Sequence, residues 1–80
     1  MNKPIVYTQN DCPPCKIVKM FLNEYQIEFV EKNISDDPTA RKELTQTYGA
    51  YSTPTVIVEN EVIIGFDLKK LELALNLTSN

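Results

Sequence analysis

Two apolar runs, Thr55-Val56-Ile57-Val58 and Glu61-Val62-Ile63-Ile64, are separated by only Glu59-Asn60. So short a connection requires an antiparallel hairpin. The first part of the chain requires the opposite relation. Pro4 to Thr8 carries Ile5, Val6 and Tyr7, a β-prone run with almost no polar face, as suits a strand buried on both sides. A helical stretch separates it from a second strand over Ile27 to Ile34, centred on Phe29 and Val30. A strand–helix–strand crossover of this kind runs its strands parallel and turns right-handed. One sheet holding both relations is mixed.

The helices are marked by their starts and their periodicity. Gln9-Asn10-Asp11 supplies turn residues, and Pro13 fits a first helical turn, where an amide hydrogen has no intrahelical partner. Ile17, Phe21 and Tyr25 recur at i, i+4 and i+8, with Val18 and Leu22 widening the stripe and Lys16, Lys19, Asn23 and Glu24 opposite. The pattern predicts an amphipathic helix of about three turns, buried along that stripe. Ser35-Asp36-Asp37-Pro38 begins a second helix, its acidic residues meeting the positive helix end. Ala40, Leu44 and Tyr48 form its buried side and Gly49 its stop. Gly65 ends the hairpin, and Asp67 caps a last helix that buries Leu68, Leu71, Ala74 and Leu75. The expected architecture is α/β, in the order β-α-β-α-β-β-α, with a mixed four-stranded sheet flanked by three helices. Its 80 residues are read as a single domain, residues 1–80, around one modest core.

Charge and composition remove whole classes of function. Eight Lys+Arg stand against eleven Asp+Glu, a net charge of -3, whereas binding nucleic-acid phosphates needs a cationic footprint. No apolar run approaches the roughly 18 residues of a membrane span, and Asn10-Asp11 arrives before the apolar core of a signal peptide could form. A cytoplasmic location is the expectation. The chain has no histidine, so a Ser-His-Asp triad, a Cys-His pair and a His-ligated metal are all excluded.

What remains is Cys12 and Cys15, the two cysteines of the chain, in Cys12-Pro13-Pro14-Cys15. They fall where the first strand ends and its helix begins, the end of an open sheet where reaction sites collect. A helix N-terminus offers free amide hydrogens and the positive end of a dipole, and both stabilise a thiolate. Residues three apart on a helix lie on one face with Cβ atoms roughly 5 to 6 Å apart. A disulfide needs about 3.8 Å, which a residue at the cap reaches by a small adjustment. Cys12 is therefore expected to be the more accessible, attacking thiol and Cys15 the inward, resolving one, joined as a Cys12–Cys15 disulfide when oxidised. Neither proline has an amide hydrogen, which leaves the Cys15 amide as the close donor to the Cys12 sulfur. Other readings stand beside this one. The pair could be half of a zinc site, although structural zinc takes four ligands and two thiolates are present. It could hold Cu(I), or join a second copy around zinc or an iron–sulfur cluster, or be two inert thiols.

Ser52-Thr53-Pro54-Thr55, just before the third strand, reads by itself as a turn or strand-edge proline. Its place in the chain gives it more meaning. Val6-Tyr7-Thr8 leads to the cysteine motif, followed by the segment Glu28 to Ile34, by Ser52-Thr53-Pro54-Thr55-Val56 and by Gly65-Phe66-Asp67. In that order and at this length, the chain resembles the glutaredoxin-like branch of the thioredoxin-fold superfamily over nearly all of its residues. The resemblance implies a thioredoxin-like fold in which Pro54 is cis and lies against the cysteine pair. It also implies that the Thr53 backbone pairs with an incoming peptide or glutathione like an added strand. Gly65, Phe66 and Asp67 would complete the substrate-binding surface, with Tyr48 and Tyr51 as candidates to flank it.

The departures from the family pattern matter as much. Glutathione-using members often have tyrosine where this chain has Pro14, and commonly lysine where it has Gln9. The late Gly-Gly pair appears here as Ile64-Gly65. A neutral Gln9 forgoes a charge-assisted contact to a glutathione carboxylate worth about 1.5 to 3 kcal/mol in a desolvated site. Gly65-Phe66 is similar to the NrdH-type redoxins, which take electrons from thioredoxin reductase. The resemblance thus implies a monomeric dithiol–disulfide oxidoreductase, without metal or organic cofactor, that reduces disulfide-containing protein substrates. The departures imply that it is recharged by a flavoprotein reductase in preference to glutathione. The competing reading is a metal or iron–sulfur carrier using Cys12 and Cys15 across a dimer.

Overall fold

The crossover and the hairpin share one sheet. A computed structural model, which describes residues 3–77, contains strands β1 (Ile5–Thr8), β2 (Val30–Asn33), β3 (Thr55–Val58) and β4 (Glu61–Ile64). Their order across the sheet is β2-β1-β3-β4. β1 runs parallel to β2, with Ile5 beside Val30 and Thr8 beside Asn33. It runs antiparallel to β3, with Val6 opposite Val56, and β3 pairs antiparallel with β4 from Thr55–Ile64 to Val58–Glu61. The helices are α1 (Pro13–Glu24), α2 (Pro38–Lys42) and α3 (Leu68–Ala74), and a π-helical stretch, Glu43–Thr47, continues α2. None of the described helices is long and apolar enough to cross a membrane.

β1 is central, so both of its faces are covered. Val6 packs with Val18 and Leu22 of α1, Val56, Val58, Ile63 and Leu71 of α3 on one side. Tyr7 turns to the other side, among Ala40, Leu44, Ala50 and Ile57. Side chains alternate across a strand, and here each alternate finds its own core. The helix starts follow local chemistry. The Asp37 carboxylate accepts from the Thr39 and Ala40 amides, and that of Asp67 accepts from the Lys70 amide. Gly49 ends the second helical segment at φ +65°, the left-handed region glycine occupies without a Cβ penalty.

Two expectations need correction. The buried side of α1 is Cys15, Val18 and Leu22, so the residues expected to widen the stripe are its centre and the Ile17–Phe21–Tyr25 line is not. Ile17 is 44% and Tyr25 46% exposed, and Phe21 lies at the border of the core, its ring 5.0 Å from that of Tyr25. The helix starts directly behind β1 and turns Cys15 inward, which sets the phase for residues three and seven positions on. The second strand is also shorter than Ile27 to Ile34. The Ile27 amide bonds back to the Leu22 carbonyl, so Ile27 belongs to the exit of α1, while Phe29 reaches the core ahead of the strand. Tyr48 packs against the core beneath α2, its ring 5.9 Å from Tyr7, in keeping with its expected place on the buried side of that helix rather than at the rim of a groove.

Candidate active site

The turn that follows β1 is braced by the turn that follows β2. The Asn10 amide donates to Ser35 Oγ at 3.0 Å, and Asn33 Nδ2 donates to Asn10 Oδ1 at 3.1 Å. Asp11 then adopts φ +55°, a left-handed conformation that aspartate tolerates better than most residues. This places Cys12 at the N-cap of α1 in extended conformation, φ -122° and ψ 91°. Its sulfur accepts from the Cys15 amide at 3.2 Å, the donor the sequence singles out. Cys12 and Cys15 form a disulfide with Cα atoms 5.3 Å apart. Cys12 is the more accessible of the two, but only narrowly: 6% against 2%, both buried.

The second constellation meets the first. The Thr53–Pro54 bond is cis, and Thr53 Oγ1 lies 3.7 Å from Cys12 Sγ. Pro54 is buried, and its carbonyl accepts from the Gly65 amide at 2.8 Å. Gly65 has φ +86°, a conformation that glycine adopts freely and other residues resist. That bond brings the Gly65-Phe66-Asp67 corner up beside the proline, with Phe66 half exposed and Tyr51 81% exposed. The Asp67 carboxylate accepts from Lys70 N at 3.1 Å. It is engaged in capping α3 rather than held free for a ligand.

Two charged features were not legible beforehand. Under α1, the Thr8 hydroxyl and the Lys19 ammonium both donate to Glu31 Oε2, at 2.8 and 3.0 Å. Burial pushes the Glu31 carboxyl up, but the two donors together outweigh it and hold the group below the usual carboxylate range. Beside the cysteine turn, Gln9, Ile34, Arg41, Leu44, Thr45 and Tyr51 line a concavity of about 190 Å³. Arg41 thus supplies a cation close to the neutral Gln9. The signal for it lay in spacing, since Arg41 is one helical turn before Leu44 and Thr45, but only the fold brings α2 to Gln9. Two other concavities, around Ile27 and Phe29 and around Val58 and Leu75, have no thiol in their walls. Among the described residues, no three of Cys, Asp and Glu converge as metal donors.

A disulfide closed across the first turn of a helix, at the carboxyl end of a central strand and beside the threonine of a cis Thr–Pro bond, defines a thiol–disulfide redox protein of thioredoxin-like fold. The sequence model of the family described as Glutaredoxin matches residues 5–63. The chain belongs to the glutaredoxin family. It is 33% identical over 61 residues to the glutaredoxin-like protein NrdH of Lactococcus lactis subsp. cremoris, covering 76% of this chain and 83% of that protein. It is 28% identical over 67 residues to an uncharacterized glutaredoxin-like 8.6 kDa protein in the rubredoxin operon of Clostridium pasteurianum, covering 84% of this chain and 89% of that one. Among solved structures, the T8A mutant of the thioredoxin-like protein BC3987 superposes with a TM-score of 0.90 at 46% identity, over 92% of this chain and all of that one.

Proposed function

We propose that the chain is a single-domain, monomeric electron carrier of the cytoplasm that reduces disulfides in protein substrates through Cys12 and Cys15. The observation that carries this is the Cys12–Cys15 disulfide at the mouth of α1, with the Cys15 amide aimed at the Cys12 sulfur. In the reduced protein the Cys12 thiolate attacks one sulfur of the target disulfide. A mixed disulfide forms and one target thiolate leaves. The Cys15 thiolate then attacks the Cys12 sulfur, closes the Cys12–Cys15 bond and releases the second target thiolate. Two electrons have passed to the target, and two protons complete its thiols. Thr53, Pro54, Gly65 and Phe66 form the docking edge, the Thr53 backbone pairing with the incoming strand; Asp67 supports it by fixing the corner.

Recharging returns two electrons and two protons to the pair. Pro14 in place of tyrosine and Gln9 in place of lysine favour a flavoprotein reductase as donor, and likeness to an NrdH protein is in keeping with that. Arg41 beside Gln9 favours the other donor, since it offers a glutathione carboxylate a cation. The deciding experiment compares turnover of an insulin disulfide with NADPH and thioredoxin reductase against NADPH, glutathione and glutathione reductase. Turnover with the first system is expected to dominate; turnover with glutathione alone would reverse the preference. Cys12→Ser is expected to abolish activity with either donor, and a variant that still turns over would remove Cys12 from its role.

A further inference from the structure

The sheet has two open edges, β2 and β4, and they are built differently. Glu31 and Lys32 of β2 alternate across the sheet, and each is paired, Glu31 with Lys19 and Lys32 with Glu43. Charged side chains on an edge strand discourage further pairing. β4 carries charge only at its first residue, Glu61. Beyond it, Val62, Ile64 and Phe66 recur at every second position and are 39 to 52% exposed, while Ile63 is buried. The backbone is open at the same residues. A two-residue hairpin closes on Val58 and Glu61 as a hydrogen-bonded pair, and bonded and non-bonded pairs alternate along an antiparallel ladder. The bond from the Gly65 amide to the Pro54 carbonyl continues that alternation past the end of the strand. Val62 and Ile64 therefore turn their amide hydrogens and carbonyls away from β3. Among the described residues, no backbone bond outside the sheet takes those groups up.

We propose that β4 accepts a second extended segment of the disulfide-bearing protein partner, added to the sheet as a further strand, with apolar side chains over Val62 and Ile64. The inference rests on the reading of this chain as a reductant of protein disulfides through Cys12. The open edge runs directly into the docking corner. Ile64 precedes Gly65, whose amide holds the Pro54 carbonyl, and the neighbouring Thr53 lies 3.7 Å from the Cys12 sulfur. A partner tethered at Cys12 presents its other segments at high effective concentration, so a short added strand suffices. A second copy of the chain fits less well. Two four-residue strands paired edge to edge bury far less than the roughly 1,200 Å² of a specific, stable interface. Main-chain bonds supply the pairing and alternate side chains the selectivity. Glu59 and Glu61 at the hairpin end leave no place for a carboxylate in that segment, since like charges opposite one another repel.

The test traps a partner on the full-length protein. Cys15→Ser leaves a mixed disulfide at Cys12 unresolved, and it is formed once with the insulin B chain and once with the small thiol thionitrobenzoate. Amide hydrogen exchange is then read at Val62 and Ile64. Both amides are expected to slow by about tenfold or more in the B-chain adduct and to stay fast in the small one. With Cys15 in place, Val62→Lys is expected to lower the rate of insulin reduction about five- to tenfold relative to that of dithiobis(nitrobenzoate). Val30→Lys, at the other edge, is expected to keep the native ratio. Amides that stay fast in the B-chain adduct, equal slowing in both adducts, or a ratio lowered as far by Val30→Lys overturns the proposal and leaves Cys12 as nucleophile. Slow amides in the free protein together with twice the chain mass in solution put a second copy on β4, and overturn it as well. Failure of Cys12 to form either adduct removes the reading on which the inference rests.

Discussion

Pro14 is the residue whose chemistry is most open to manipulation. Cys12 is the N-cap, Pro13 and Pro14 are the first two helical positions, and Cys15 is the third. An N-cap side chain accepts from the amide of the second or third position, and here the second has no hydrogen to give. Pro14→Ala creates that donor beside the sulfur. An added bond to an ionised group is worth about 1.5 to 3 kcal/mol, and for a two-electron couple 1.4 kcal/mol corresponds to about 30 mV. The extra donor stabilises the thiolate and hence the reduced pair, so the reduction potential is expected to rise by about 30 to 60 mV. Equilibration with a thiol–disulfide buffer measures it. A potential that does not move, or falls, contradicts this account of how the motif is tuned.

The elements show where packing overrides pattern. Leu22 is fully buried in the core that joins α1, the sheet and α3, whereas Ile17, five residues earlier, is 44% exposed. Leu22→Ala is expected to cost about 2 to 5 kcal/mol in urea denaturation, through lost transfer free energy and the cavity left behind. Ile17→Ala is expected to cost well under half of that. Equal costs would mean that the Ile17 side of the stripe is as buried as the Leu22 side after all. The hairpin and the helix starts at Asp37 and Asp67 were legible because each rests on local chemistry: a two-residue connection, an aspartate before a helix. The phase of α1 was only partly legible, because the expected stripe spans two overlapping apolar lines and only contact with β1 and α3 chooses the Val18–Leu22 line over the Ile17–Tyr25 one. The same distinction holds at the site. Cys12 and Cys15 declare themselves by spacing and the Cys15 amide by elimination. The Thr53 hydroxyl and Arg41 depend on segments about 30 to 40 residues away in the chain closing around the turn.

Across the whole molecule, one polar cluster ties β1, β2 and the second helical segment together on the sheet face away from α1. Tyr7 donates its hydroxyl to Glu43 Oε1 at 2.9 Å, and Lys32 Nζ reaches the same oxygen at 2.8 Å while standing 5.9 Å from the centre of the Tyr7 ring. The Lys32 ammonium, then the Tyr7 hydroxyl, hold the Glu43 carboxyl below its usual range against a weaker opposing effect of burial. A carboxyl lowered by folding adds stability above its unfolded value, about 4.3, and loses it as pH falls through the folded value. Glu43→Gln is therefore expected to lower the urea midpoint at neutral pH and to converge on the native protein in acid. Burial, then the bond to Glu43, raises the Tyr7 phenol. Its contribution is present below about pH 10 and fades as pH rises past that value, so Tyr7→Phe is expected to flatten the alkaline limb. Parallel pH profiles for the variants and the native protein would contradict both assignments.

The hydrogen bonds from Asn10 to Ser35 and from Asn33 to Asn10 moor the arch that carries Cys12 to the neighbouring crossover, not to its own helix. A graft lifting residues 9–16 onto a foreign scaffold takes the ring and leaves its moorings behind. Transplanting this chemistry requires two arches, side by side.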